Sequence, residues 1–126
     1  MAYTFLKALG KNIGSSFAQG DDIVELAKGL LEKAKEQGID VQLPIDHVCH
    51  TAFEDTDSPL VTEGQDIPDG YMALDIGPKT VELYKSKIEA CAATLWNGPM
   101  GECQGTGVVL LFVVAASGMA SGISHM

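Results

Sequence analysis

The stretch YMALDIGPKTVELYKSKIEAC, residues 71–91, decides the fold class because a strand pattern passes directly into a helix pattern. Its first seven residues have the apolar composition of a short strand, and Pro78 stands near the first position of the helix, where proline is favoured. Similar strand patterns occur at residues 40–46 (DVQLPID) and 92–98 (AATLWNG), and the polar, Pro- and Gly-rich residues 50–70 are predicted to form a long loop. Because strand and helix patterns alternate, the sequence predicts an α/β fold with a parallel sheet and crossover helices.

Two more helices are predicted upstream of this stretch. In MAYTFLKALG, residues 1–10, apolar side chains recur every three or four positions, and Gly10 can end the helix. In GDDIVELAKGLLEKAKEQG, residues 20–38, Asp21 is predicted to cap the N-terminus and Gly38 to end the helix. The apolar stripe of this second helix comprises Ile23, Leu26, Ala27, Leu30, Leu31 and Ala34.

Charge and composition exclude several classes of partner. The 126 residues include 17 acidic residues and eight Lys without any Arg, and the net charge of −9 repels the phosphates of a nucleic acid. Three Cys without a disulfide spacing favour a reducing compartment. The longest apolar run, Val108–Ala116, is far shorter than the roughly 20 residues that a spanning helix needs, so no membrane partner is expected.

Three loops follow the predicted strands, after Asp46, Gly77 and Trp96. Ligands bind at the carboxyl ends of the strands in open parallel sheets, so a site is expected there. In the third loop, WNGPMG at residues 96–101, the glycines let the backbone approach a ligand, and Asn97 offers both a donor and an acceptor. A strand-to-helix turn without a ligand explains the same pattern equally well.

Other chemically capable side chains have structural explanations that we favour. His47, Cys49 and His50 are too close together for the separated ligand pairs of a metal site, so local hydrogen bonds are expected for the two histidines. For Asp46, capping of a loop is favoured over a catalytic role.

Two pairs of residues allow both a structural and a binding role. Lys79 and Thr80, at the start of the third predicted helix, suit a phosphate, although a solvated first turn is favoured. Phe17 and Phe53 are expected in the core on residue type alone.

Five segments in order resemble the phosphoglycerate kinase family: MAYTFLKALG, IGSS, LPIDHV, IPDGYMALDIGPKT and WNGPMG. The resemblance covers residue 1 to about residue 101, is confined to the carboxyl-terminal nucleotide-binding domain, and is greatest to kinetoplastid members. It implies a partial doubly wound (Rossmann-like) parallel sheet. It also implies the family's reaction, phosphoryl transfer between 1,3-bisphosphoglycerate and ADP, which gives 3-phosphoglycerate and ATP in glycolysis. The family enzyme is a monomer that uses ATP or ADP with Mg.

The resemblance implies a slot for adenine. Phe17, after the IGSS turn, and Phe53, after the LPID segment, would line its two sides. Ala73 and Leu74 would pack against the base, with Ala73 in place of a family glycine.

The resemblance also implies phosphate and ribose contacts in the third loop. Asn97 would face the nucleotide phosphates, and Pro99 and Gly101 would shape the loop near the ribose. Glu102 is similar to the family glutamate that binds the ribose hydroxyls, but the Val-Phe pair that precedes it in the family is missing here.

The departures from the family pattern divide the chain into two parts. Residues 1–101 are predicted to form a partial nucleotide-binding domain, and residues 102–126 a non-matching apolar tail; Met1 is expected to be an internal methionine of a longer parent. The Gly-Gly-Gly-Asp-Ser/Thr loop that places Mg in the family is absent. We therefore assign no catalytic residue and no metal ligand, and predict that the chain alone is inactive. The alternative is an inactive remnant, or a mispredicted or internally deleted gene product, that at most binds adenine nucleotide weakly.

The last three residues, Ser124, His125 and Met126, follow the small–basic–apolar pattern of the peroxisomal signal S-K-L. The sequence therefore predicts a cytoplasmic or glycosomal protein. A tail that ends this way by accident fits the same residues equally well.

Overall fold

The computed structural model describes residues 1–53, 58–95 and 100–101. These residues form three helices and three short strands: α1 Ala2–Ala8, α2 Asp21–Glu36, β1 His47–His50, β2 Leu60–Val61, β3 Met72–Ile76 and α3 Pro78–Glu89. The mixture of helices and strands confirms the predicted α/β class. No helix among the described residues has the length and hydropathy to cross a bilayer.

Helices α1 and α2 end where the sequence predicts, but α2 begins differently. Gly10 and Gly38 follow the two helices with φ of +76° and +68°, a left-handed conformation that glycine adopts without strain. The predicted cap at Asp21 is wrong, because Gly20 is the cap residue and Asp21 is already the first helical residue. The Asp21 carboxylate instead accepts a hydrogen bond of 3.1 Å from Nζ of Lys7 in α1.

Helix α2 packs against α1 through only part of its predicted apolar stripe. Ala27 is buried, and Ile23, Leu31 and Ala34 are half-buried. Leu26 and Leu30 keep 57% and 48% of their surface exposed. The described residues therefore leave one edge of the stripe uncovered.

The three strands form an antiparallel sheet in the order β2-β1-β3, so the predicted parallel pairing is wrong for the described strands. Nine residues, 51–59, connect β1 to β2. A parallel neighbour needs a crossover of a dozen or more residues, so this short connection can only reverse the chain. The two-residue strand β2 also lies inside the segment that was predicted to be entirely loop.

Two predicted strands differ from the structure. Residues 40–46 form no strand, and the central strand begins at His47. Pro44 has no N–H for a strand ladder, and the N–H groups of Ile45 and Asp46 both donate to Oγ1 of Thr80 in α3, at 3.0 and 3.1 Å. In the predicted strand at 92–98, residues 92–95 are not in a strand and the rest lie outside the described residues.

The core is small: Leu6 of α1 and Ala27 of α2 are buried, and a further cluster lies at the sheet. This cluster comprises Cys49, Ile67 and Ala73, with Tyr3 and Tyr71 packed against them. It joins β1, β3, helix α1 and the end of the long loop.

Candidate functional site

The N-terminus of α3 is capped by a side chain from another part of the chain. Asp46 and Thr80 are both fully buried. The carboxylate of Asp46 accepts hydrogen bonds from the backbone N–H of Lys79 at 2.9 Å and of Thr80 at 2.8 Å. It also accepts one from the Thr80 hydroxyl at 2.6 Å. Asp46 therefore has a capping role, but the predicted target is wrong, because its carboxylate caps the start of helix α3 and not its own loop.

The environment of Asp46 holds its carboxylate in the charged form. Burial raises its pKa and is the largest single influence, but the hydrogen bonds from Thr80 and Lys79 and the charge of Lys79 together lower the pKa below its ordinary value. Gly77 makes the close approach possible, because a Cβ there would lie 2.3 Å from Cγ of Asp46.

The same contacts exclude a phosphate from this helix end. The first free N–H groups of α3 are occupied by Asp46, and Pro78 has none to offer. The solvated first turn predicted for Lys79 and Thr80 is wrong for Thr80, which is fully buried. Nζ of Lys79 is exposed but bonds Glu63 Oε2 at 3.0 Å.

A second cluster forms where the IGSS turn meets β3. The N–H of Ser15 donates to the carbonyl of Tyr71 at 2.7 Å, and the N–H of Ala73 donates to Oγ of Ser16 at 2.9 Å. Gly14 has φ +54°, and a Cβ on it would lie 2.3 Å from the Tyr71 carbonyl oxygen. The turn is therefore held against β3, and the chain immediately after it, at Phe17, starts beside Ala73.

Phe17 and Phe53 are exposed aromatic residues at the same end of the sheet. Phe53 lies three residues beyond His50, whose strand partner is Met72 at the start of β3. Phe17 is 76% exposed and Phe53 57% exposed, so the expectation that they are core residues is wrong. Two large apolar rings on the surface at one sheet end are available to bind a flat apolar group.

Ala73 and Leu74 differ in how much surface they offer. Ala73 is only 9% exposed and packs with Cys49 in the core, so little of its methyl group faces outward. Leu74 is half-buried and has no partner in β1, because Val48 pairs with Asp75 while Cys49 pairs with Ala73. This extra residue makes a bulge, a feature that redirects a side chain locally.

Of the four site residues predicted in and beside the third loop, only Gly101 lies within the described structure. A Cβ at Gly101 would lie 2.3 Å from Cγ of Asp75, so its backbone packs tightly against β3. Asn97, Pro99 and Glu102 lie outside the described residues.

The two histidines of β1 behave differently. Nδ1 of His50 forms the predicted local bond with the backbone of Ala52: according to the tautomer, it accepts from the N–H at 3.2 Å or donates to the carbonyl oxygen at 3.0 Å. His47 is fully buried beside the ring of Tyr3, and among the described residues its ring nitrogens form no hydrogen bond of regular geometry, in contrast to the local bonds predicted. Burial lowers the pKa of His47 and raises that of the Cys49 thiol to about 11. The backbone of Gln65 is near enough to raise the pKa of His47, which opposes the effect of burial.

Within residues 1–53, 58–95 and 100–101, no group of three His, Cys, Asp or Glu side chains is placed to hold a metal ion.

Sequence reasoning missed the positioning roles of two residues, Ser16 and Thr80. Each supplies a hydroxyl to backbone N–H groups of a distant segment, 57 positions away for Ser16 and up to 35 for Thr80. The only sequence signal was a polar residue next to a turn or helix start, which does not identify a partner.

The protein-family model described as phosphoglycerate kinase matches residues 1–118 of this chain. The cytosolic and glycosomal phosphoglycerate kinases of Leishmania mexicana are each 58% identical to it over 101 residues, or 80% of the chain. The chain spans only 24% and 21% of those two relatives.

A solved structure of phosphoglycerate kinase from Coxiella burnetii superimposes with a TM-score of 0.71 and 33% identity. It matches 79% of this chain and 26% of its own length. Sequence and fold agree, and this chain belongs to the phosphoglycerate kinase family.

Proposed function

We propose that this chain carries the adenine-binding surface of a phosphoglycerate kinase, the enzyme that transfers a phosphoryl group between 1,3-bisphosphoglycerate and ADP. The observation that carries the proposal is the exposure of Phe17 and Phe53 at one end of the sheet. Aromatic rings left in water favour a planar base, which recovers the apolar contact that the fold does not provide.

The nucleotide binds mainly through its base. The N–H groups of Lys79 and Thr80 are already bonded to Asp46, so α3 offers no phosphate site. The net charge of −9 also opposes a triphosphate. Burial of one ring contributes about 1–3 kcal/mol, which gives weak binding once the entropy of association is subtracted.

The chain alone does not transfer a phosphoryl group. This chemistry depends on holding both substrates and Mg in line, and among the described residues no three His, Cys, Asp or Glu side chains are placed together to hold a metal ion. The residues present thus fit the adenine base and not the metal, so we derive no catalytic step for this chain. Its share of the family reaction is adenine binding.

Titration of the methyl- and amide-labelled chain with adenosine and with ATP tests the binding proposal. Adenosine and ATP should bind with comparable, weak affinity, and both should shift the signals around Phe17 and Phe53. A hundredfold preference for ATP contradicts base-dominated binding, and absence of binding by either ligand favours the inactive remnant. A coupled NADH assay that shows turnover by the purified chain contradicts the inactivity.

The relatives include forms named cytosolic and forms named glycosomal. We propose that the end Ser124-His125-Met126 directs this chain to the glycosome, because it keeps the small–basic–apolar order of the S-K-L signal. The last twenty residues fused to a fluorescent protein should give punctate signal in a kinetoplastid cell, which deletion of Met126 abolishes. Diffuse fluorescence from the intact fusion excludes the signal.

A further inference from the structure

An open apolar groove of about 520 Å³ runs along helix α3 and the end of β3. Its apolar lining comes from Ile76, Val81, Tyr84, Ile88 and Met100. Val81 keeps 45% of its surface exposed, which is a high exposure for an aliphatic side chain within such a lining. No described residue covers this side of α3, so the groove needs an occupant.

The groove is not a site for a charged ligand. Only two charged side chains line it, Lys85 and Glu89. Their charges are opposite and they are spaced four positions apart on one helix, where such side chains can neutralise each other. An occupant should therefore be apolar and uncharged.

The chain itself leads out of this groove. Met100 lines it, and the next residue, Gly101, is packed against Asp75 of β3 with no room for a Cβ. The chain is thus fixed to the sheet at the edge of the groove, and the residues that follow start from that point.

The sequence after this point has the composition that the groove requires. Residues 103–126 contain no Asp, Glu, Lys or Arg, and Val108–Ala116 is a run of nine apolar residues. Six residues, 102–107, separate Gly101 from this run, and six residues reach at most about 20 Å. A tether of this length keeps the run at an effective concentration on the order of millimolar at the groove.

The lengths also agree. Val81 and Ile88 lie seven positions apart on α3, a distance of about 10 Å along the helix axis. Nine residues extend over at least about 13 Å in any regular conformation, so the run can cover the whole apolar lining.

We propose that Val108–Ala116 of the same chain occupies this groove and covers the exposed face of α3. The segment acts as an intramolecular cover, which removes both the apolar groove and the apolar run from water. It leaves the last ten residues, 117–126, outside the groove. The groove lining does not include Phe17 or Phe53, so occupation of the groove does not depend on nucleotide binding.

A paramagnetic label on the full chain tests this placement. A nitroxide is attached at Ser117→Cys in a chain that also carries Cys91→Ala and Cys103→Ala; Cys49 is fully buried and stays unlabelled. The methyl signals of Ile76 and Ile88 should broaden severalfold more than that of Ile23 on α2. Equal broadening of all three contradicts the proposal.

A mixed sample shows whether the tail in the groove comes from the same chain or from a second copy. Isotope-labelled chains without nitroxide are mixed with unlabelled chains that carry it. Broadening of Ile76 and Ile88 in this sample places the tail of another molecule in the groove and overturns the proposal. The proposal is supported if the signals stay sharp in the mixture and broaden in the chain that carries both the isotope label and the nitroxide.

A matched pair of variants gives an independent readout. Val81→Asp places a charge in the groove, and Leu26→Asp places one at a similarly exposed apolar position on α2. Chymotrypsin should cleave near Phe112 about tenfold faster in Val81→Asp than in the unmodified chain, with no change in Leu26→Asp. Equal cleavage rates in all three chains exclude the groove as the location of the run.

Discussion

The hydroxyl of Thr80 donates a 2.6 Å hydrogen bond to the carboxylate of Asp46, although the two residues are 34 positions apart. Both are fully buried, and the bond fixes the start of α3 to the segment that enters the central strand. The same hydroxyl oxygen accepts bonds from the N–H groups of Ile45 and Asp46. The single hydroxyl of Thr80 thus hydrogen-bonds both the carboxylate and the backbone of the segment that enters the central strand.

Thr80→Val should lower the free energy of unfolding by about 2–4 kcal/mol, because the isosteric methyl leaves the buried N–H of Asp46 and the part-buried N–H of Ile45 without an acceptor and removes the hydroxyl donor to the Asp46 carboxylate. Thr80→Ser keeps the oxygen and should cost less than about 1 kcal/mol. Urea unfolding followed by circular dichroism measures both. Equal stability of the Val variant and the unmodified chain contradicts the role assigned to this hydroxyl.

The free energy of unfolding should fall in acid because of Asp46. Its pKa is lowered in the folded state, so its contribution is complete above the ordinary value of 3.8 and is lost as pH falls from there through the folded pKa. Asp46→Asn should therefore be less stable than the unmodified chain at pH 7, by about 1–3 kcal/mol. The difference should shrink at pH 3. A difference independent of pH is inconsistent with a charged carboxylate at this position.

His47 should make the free energy of unfolding depend on pH in a second, higher pH range than Asp46 does. Burial lowers its pKa below 6.5, so the unfolded chain takes up a proton first and stability falls as pH drops below 6.5. Replacement by Leu removes the titrating group and should flatten the curve of unfolding free energy between pH 6.5 and 5. His50→Leu is the control. If the His47→Leu curve keeps its slope, another group causes the loss.

Two glycines should respond to alanine in opposite directions. Gly29 lies inside α2, and the position that a Cβ would take there has no neighbouring atom within 4 Å, so Gly29→Ala should stabilise by up to about 1 kcal/mol. Gly77→Ala would place a methyl 2.3 Å from the Asp46 carboxylate and should destabilise by several times that amount, on the order of 2–4 kcal/mol. Thermal unfolding of both variants gives the comparison. If Gly77→Ala melts at the same temperature as the unmodified chain, residue 77 is not in close contact with the Asp46 carboxylate.

Phe17→Ala and Phe53→Ala should weaken adenosine binding without weakening the fold. Both rings are exposed, so their loss creates no cavity, while an aromatic ring stacked on a base contributes about 1–3 kcal/mol, or roughly 5- to 150-fold in affinity. Leu95→Ala, at a side chain that is 67% exposed, is the control and should leave binding unchanged. Titration calorimetry or NMR measures the affinities. Unchanged affinity in both Phe variants places the base elsewhere.

The sequence by itself determined the helices and where α1 and α2 end. The apolar spacing of α2, the glycines after α1 and α2, and Pro78 at the start of α3 are local signals, since each acts within one or two helical turns. The motifs also identified the family. They did so because the comparison needs only the order of residues and not their contacts.

Tertiary structure alone decided the strand direction, the start of the central strand and the exposure of the site residues. Pro44 and the pairing of Ile45 and Asp46 with Thr80 prevent the strand that the apolar pattern at 40–46 predicts. Phe17 and Phe53 have the residue type of a core, yet the turn at Ser16 and the sheet register place them in solvent. These outcomes depend on groups 11 to 57 positions apart meeting in space, and no local pattern of residues encodes which distant donor finds which acceptor.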